Sequence, residues 1–147
     1  MTPEPEISVF RPDRPGIRKV LGDLEAEIME LVWERPTEQG TTVRDVFEVL
    51  YERRRLAYTT VMNTMARLAR KNLLRAEKAD QAYVYYPNFT REEFVSRFVG
   101  RILENLLVSF AGATLEGLEA LSDPQAAARA RRLLDEIARR RAAEEGA

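Results

Sequence analysis

Neither cysteine nor histidine occurs in this chain. The first absence excludes a disulfide framework and thiolate metal sites. The two together remove nucleophile–histidine pairs, catalytic triads and the common zinc sites. Carboxylates remain, but no pattern fixes them in a constellation. The reading is therefore a binding protein that catalyses no reaction and carries no cofactor and no metal. No apolar run approaches the roughly 20 residues that cross a bilayer. The opening MTPEPEISVF lacks a basic stretch followed by an apolar core, so it does not read as a secretion signal. A cytoplasmic protein with no membrane partner is expected.

Net charge is also scarce, at −1, but its distribution is uneven. Residues 21–50 hold eight acidic and two basic side chains, net −6. Residues 51–81 hold eight basic ones, Arg53, Arg54, Arg55, Arg67, Arg70, Lys71, Arg75 and Lys78, against Glu52, Glu77 and Asp80, net +5. A local excess of this kind says more about a nucleic-acid partner than the total does. With 147 residues, 45% of them hydrophobic, the chain is long enough for one domain and an appendage.

Residues 1–20 contain four prolines, Pro3, Pro5, Pro12 and Pro15, and show no helical or strand period. They read as a flexible arm, either without a role or touching phosphates through Arg11, Arg14, Arg18 and Lys19. A first helix is expected at 23–33, with Leu24, Ile28, Leu31 and Val32 on one face. Asp23, Glu25 and Glu27 suit its positive N-terminal dipole. The acidic set Asp23, Glu25, Glu27 and Glu30 reads as a solvated face, since nothing confines it to a pocket. A second helix begins after Thr42, whose spacing to Asp45 has the form of a capping box. It buries Val43, Val46, Phe47 and Leu50 and ends near Tyr51, before a loop bearing Arg53, Arg54 and Arg55.

A third helix is expected from Tyr58 to Lys71, with Val61, Met65 and Leu68 inward and Thr59, Asn63, Arg67 and Arg70 outward. Asn72 suits a left-handed C-terminal cap. Two β-rich segments follow, 73–78 and 81–86, the second stopped by Pro87. Three helices and a hairpin in this order make a winged helix-turn-helix. Thr90 then caps a helix reaching towards Phe110. Its apolar face, with Phe94, Phe98, Ile102, Leu106 and Phe110, is wider than the roughly 100° stripe of a surface helix. A second copy is the simplest cover. A last helix opens at Ser122–Gln125, with Pro124 near its first turn and Leu133 and Ile137 in its stripe; the charged tail beyond Arg139 is expected to fray, and Arg139–Arg141 reads as solvated.

The outer face of the third helix carries the sharpest functional signal. Arginine bonds guanine bidentately and asparagine bonds adenine, while Thr59 and Thr60 near the helix N-terminus suit phosphate. An ordinary solvated face would carry similar residues; the basic cluster before it and the basic hairpin after it favour DNA. Arg75, Lys78 and Gln81 make the hairpin either a wing on the DNA backbone or a lid on the core. Of Tyr83, Tyr85 and Tyr86, at least two are expected to pack.

The blocks LGDLEAEIMELVWER (21–35), TTVRDVFEVL (41–50), LAYTTVMNTMARLARKNLL (56–74) and AYVYYP (82–87) closely resemble the BlaI/MecI/CopY family of penicillinase-type repressors. The likeness is strong over about 20–110 and looser beyond. It implies a homodimer whose winged-helix heads bind double-stranded, inverted-repeat operator DNA. It also implies that Thr60, Asn63, Thr64 and Arg67 approach bases or phosphates, and that the helices after Thr90 make the dimer. Two departures stand out. The copper-responsive members use a C-terminal cysteine motif, absent here. The antibiotic-responsive members are cut at an Asn-Phe bond in the first dimerisation helix; the corresponding pair here is Arg97-Phe98, and the Asn-Phe pair of this chain, Asn88-Phe89, precedes that helix.

The sequence is thus read as a mainly α (α+β) protein: an arm at 1–20, a winged helix at 21–88 and a helical dimerisation region at 89–147. The rival readings are a small-molecule-sensing regulator with its pocket at the dimer interface and a protein-interaction adaptor on the same fold. The operator, and any inducing ligand or protease, are not encoded in a readable way.

Overall fold

The computed structural model describes residues 4–145, apart from the side chains of Ala130, Leu133, Leu134, Ile137, Ala138, Arg141 and Glu145. The dimerisation positions expected at Leu133 and Ile137 therefore lie outside the described side chains. The elements run in the order of a short 3-10 helix (Gly16–Lys19), α1 (Asp23–Glu34), α2 (Val43–Arg54), α3 (Tyr58–Arg70), β1 (Leu74–Ala79), β2 (Ala82–Pro87), α4 (Arg91–Ser109), α5 (Ala111–Ser122) and α6 (Pro124–Glu145). This is a mainly helical winged-helix fold followed by a helical C-terminal region. The chain divides into two compact units, one ending at Val99 and the other beginning at Gly100.

In the first unit, local signals set the helix starts. The Thr42 hydroxyl accepts from the Asp45 N–H at 3.1 Å, and the Asp45 carboxylate accepts from the Thr42 N–H at 2.9 Å. This reciprocal box satisfies two donors that would otherwise be orphaned at the start of α2. Helix α3 ends where Asn72 adopts a left-handed φ of 67°, which lets the chain turn directly into β1. The two strands pair antiparallel, with Arg75 opposite Tyr86, Ala76 opposite Tyr85 and Lys78 opposite Tyr83. Thr41 adds a bridge to Tyr85, pairing through both backbone hydrogen bonds at 2.8 and 2.9 Å. Gly40 makes that approach possible. Its φ is +70°, and a Cβ there would lie 2.3 Å from Val84 Cγ1, so only glycine fits without a shift.

The core joins Ile28 and Met29 of α1, Val46 and Leu50 of α2, Val61, Met65 and Leu68 of α3, and Leu73 and Leu74 leading into the hairpin, all nearly without solvent contact. Each such side chain contributes roughly 1.5–3 kcal/mol by leaving water.

Three expectations change here. The segment before residue 21 is not a loose arm over its described length. Ile17 and Val20 are buried, the Glu6 N–H donates to the Lys71 carbonyl at 2.8 Å, and Asn72 Nδ2 donates to the Glu4 carbonyl at 3.1 Å. Proline removes a helical period but not the backbone groups that dock a segment. The winged-helix unit also does not close at 88. Phe89, Phe94 and Phe98 are all buried in it, with the Phe94 ring 5.9 Å from Trp33 and 5.5 Å from Phe98. Phe94 and Phe98 are thus core residues of the head and not the dimerisation residues expected, because the first turns of α4 cover α1. Third, α2 runs on to Arg54, so Arg53 and Arg54 lie in its last turn and not in a loop.

In the second unit, α5 was not anticipated and α6 persists through the charged tail to Glu145. Leu103, Leu106, Leu107, Phe110, Leu115, Leu118 and Leu121 are all exposed.

Candidate nucleic-acid interface

Helix α3 presents one clean division of faces. Val61, Thr64, Met65 and Leu68 are buried, a spacing of i, i+3, i+4, i+7 that makes one inward stripe. On the other side Thr59, Thr60, Met62, Asn63, Arg67 and Arg70 are exposed. The outer face therefore offers hydroxyl, amide and guanidinium groups plus one thioether, which is the inventory that base edges and thymine methyls accept. Met62, 41% exposed, was not among the expected site residues; its position 100° from Val61 was the available signal. Thr64 is a correction in the opposite direction. It is only 3% exposed, and its hydroxyl donates to the Thr60 carbonyl at 2.8 Å, one turn back along the helix. It is therefore withheld from any ligand.

The basic residues do not form a single cluster. Arg53 and Arg54 both pair with Glu27 of α1, Arg53 at 3.3 Å, and both remain about half exposed. Arg55 has a left-handed φ of 54° and lies over the Tyr51 ring at 4.7 Å. Arg70 and Lys78 are exposed and have no ion-pair partner among the described residues. In the hairpin, successive side chains alternate between the two faces. Arg75 shares a face with Tyr86, over whose ring it lies at 4.9 Å, and also bonds Glu77. Lys78 shares the other face with Tyr83 and the buried Tyr85. The hairpin thus does not bring Arg75 and Lys78 to one surface. Tyr85 packs, Tyr86 is half-buried and Tyr83 is exposed.

The remaining member of the site is one that composition mislabelled. Glu25, read as part of a solvated acidic face, is 5% exposed. Its Oε1 accepts from the Gly22 N–H at 2.9 Å, at the start of α1. Its Oε2 accepts from Lys71 Nζ at 2.8 Å and from Arg67 Nε at 3.3 Å. Burial pushes the carboxyl towards the neutral form. The Lys71 bond, the Gly22 N–H and the charges of Lys71 and Arg67 together outweigh that and hold it below its ordinary value of 4.5. Such a depressed group adds stability that is complete above its unfolded pKa and is lost as pH falls through the folded one. Glu25→Gln is therefore expected to destabilise the fold by about 1.5–3 kcal/mol at pH 7 and by much less below the carboxylate range. Urea unfolding of both proteins at pH 7 and pH 3 checks this: a gap that stays constant between the two pH values would contradict it.

No helix of the described residues is long and apolar enough to cross a membrane. Among the described residues, no group of three or more acidic side chains is placed to hold a metal ion.

A three-helix head with a two-stranded hairpin, and a third helix whose outer face carries only short polar groups, a methionine and arginines, defines the class of winged-helix regulators. Residues 21–137 match the model of the family described as penicillinase repressor, and the chain belongs to that family. Two similar relatives are the transcriptional regulator BlaI of Mycobacterium tuberculosis strain CDC 1551 / Oshkosh and that of strain ATCC 25618 / H37Rv. Each is 49% identical over 76 residues, 52% of this chain and 54% of the relative. The chain thus spans about half the length of the curated relatives it matches.

Proposed function

We propose that this chain is a transcriptional repressor that binds double-stranded operator DNA as a homodimer. In this reading each head lays α3 in the major groove, where Asn63 and Arg67 meet base edges and Thr59 and Thr60, in the first turn, meet phosphates. Met62 supplies apolar contact, and Arg70, Lys78 and the partly neutralised Arg53–Arg55 cluster supply backbone attraction. The helices after Gly100 join two heads. The observation that carries the reading is the outer face of α3, polar but for Met62, with Arg70 and Lys78 exposed and without an ion-pair partner among the described residues. Membership of the penicillinase repressor family supports it.

The test is selection of bound duplexes from a randomised pool, followed by titration of the selected duplex. Asn63→Ala is expected to weaken that binding by about 1–3 kcal/mol and to relax preference at one base pair. Unchanged affinity and unchanged preference would remove α3 from the major groove.

One observation favours a second reading, that of a regulator released by a small ligand. A cleft of about 560 Å³ opens within the first unit between the end of α1 and the segment Pro87–Glu93, with Trp33 in its wall. It lies inside one head, whereas a ligand pocket was expected between two copies. A ligand that lowers affinity for the selected duplex, and loses that effect in Trp33→Ala, would support it.

A further inference from the structure

We propose that Glu25 is a positioning residue for base reading. It grips Arg67 by Nε, so that the two terminal amino groups of the guanidinium face outward as a preset fork. This inference rests on the DNA-reading function proposed above.

The first support is the atom that is bonded. A guanidinium has five N–H donors in a rigid plane, and bidentate recognition of a guanine edge uses a parallel pair of them. Glu25 takes the Nε–H alone. Among the described residues, neither terminal amino group of Arg67 has a hydrogen-bond partner, and the side chain stays 50% exposed. The bond thus occupies the end of the group that base reading does not need and leaves the other end open.

Charge balance is the second support. A lone buried carboxylate is costly unless paired. Lys71 supplies that pairing at the shorter distance, 2.8 Å against 3.3 Å, and its own side chain is only 24% exposed. Glu25 and Lys71 therefore neutralise one another, and the charge of Arg67 is left over for a ligand. A carboxylate that served only to close the start of α1 would need the Gly22 N–H and nothing more; first-turn acids do this while exposed to water. Here the same side chain is carried inside and spans 42 residues to the flank of the recognition helix.

The physical gain is preorganisation. A free arginine loses rotamer freedom when it docks, and that loss falls equally on every sequence it meets. Fixing the side chain beforehand lowers the loss and aligns the fork with one acceptor pair, so that a wrong base leaves both donors unmatched. Glu25 then acts on discrimination more than on attraction.

The experiment compares the full-length wild type, Glu25→Gln, Arg67→Ala and the double variant. Each is titrated against a duplex selected by the wild type and a scrambled duplex of equal length and charge. The ratio of the two affinities is read for each protein, with thermal unfolding as a fold check. Glu25→Gln is expected to lower the ratio about ten-fold, within the range of one lost bidentate pair, while binding to the scrambled duplex holds or rises because a negative charge has left. In the Arg67→Ala background the same substitution should change the ratio no further. A purely structural role would lower both affinities with the folded fraction and leave the ratio intact, which would overturn the proposal, as would full additivity of the two substitutions. Should Glu25→Gln not fold, Arg67→Lys carries the test. One ammonium cannot be held at its root while presenting a fork, so the ratio must fall as far as in Arg67→Ala; a retained ratio overturns the inference. A wild type that selects no duplex overturns the DNA-reading function itself, and the inference with it. A wild type that selects one, with a Glu25→Gln variant that selects it equally well, overturns the inference alone.

Discussion

The double substitution Leu106→Asp with Phe110→Asp is expected to yield folded monomers that bind the selected duplex at least ten-fold more weakly than the wild type. In the second unit Leu106 is 43% exposed and Phe110 is 63% exposed, with Leu103, Leu107, Leu115, Leu118 and Leu121 exposed around them in sequence. So many large apolar side chains left in water mark an interaction surface, and a second copy of the chain is the occupant proposed. Because neither residue belongs to the first unit's core, aspartate there should leave the head folded. The effect on DNA follows from geometry. One head offers a small interface with modest basic excess, and non-specific contacts of that kind reach only about 10⁻⁴–10⁻⁶ M. Two heads in one body make the second contact intramolecular, at high effective concentration. Half-sites should then lie about one helical turn apart or a multiple of it. A ten-fold loss corresponds to about 1.4 kcal/mol; the avidity lost with the second head exceeds that. Sedimentation with parallel titration decides the matter. A wild type that is monomeric at micromolar concentration, or a monomeric variant with full affinity, would end the dimer-linked reading.

How much of this was legible depended on whether a feature was local. The start of α2 and the end of α3 were, because Thr42, Asp45 and Asn72 act within one turn of themselves; the end of α2, which carries no such signal, was placed a turn too early. So was the hairpin, since the β-rich stretch Tyr83–Tyr86 and the terminating Pro87 need no partner to announce it. Helix α5 was not. Its N-cap, Phe110, makes no capping bond through its side chain, Gly112 and Gly117 lower its propensity, and its leucines look inward by type although they are exposed. Thr64 illustrates the converse error. At 60° from Val61 around the helix it belongs to the buried stripe, although the family resemblance implied that it approaches bases or phosphates.

The site divides along the same line. Thr59, Thr60, Asn63, Arg67 and Arg70 could be placed outward by counting 100° per residue from Val61, and the structure leaves them there. Glu25 could not be read. In sequence it is one of several acids suited to a helix N-terminus. What distinguishes it is Lys71, 46 residues later, and no periodicity links the two. Glu27, two residues on, shows that the acidic face is not uniform either: it binds Arg53 and Arg54 and so subtracts from a basic patch that charge counting had left whole.

The other large effect expected is on stability. Phe94→Ala should unfold the head under mild conditions and do so without acting first on association. Phe94 was assigned to a dimer surface because the apolar residues of α4 were taken together as one face. In the structure its side chain is 0% exposed, lying between the Trp33 ring at 5.9 Å and the Phe98 ring at 5.5 Å, the latter edge-on. Trp33 is itself fixed, since its Nε1–H donates to the Phe89 carbonyl at 2.9 Å. Truncating Phe94 therefore removes a ring from a closed aromatic stack whose neighbours cannot collapse inward without breaking that bond. Buried phenylalanine truncations cost about 3–5 kcal/mol, and tilted and edge-to-face ring pairs add to the transfer loss. For a unit of this size each kcal/mol moves the thermal midpoint by about 4–8 °C, so a fall of more than about 12 °C is expected. Leu106→Asp with Phe110→Asp should behave oppositely, losing association while the head keeps its own unfolding transition. Near-ultraviolet circular dichroism of the Trp33 environment during heating, set beside sedimentation at 20 °C, separates the two cases. A Phe94→Ala protein that melts like the wild type but sediments as a monomer would return Phe94 to the dimer interface.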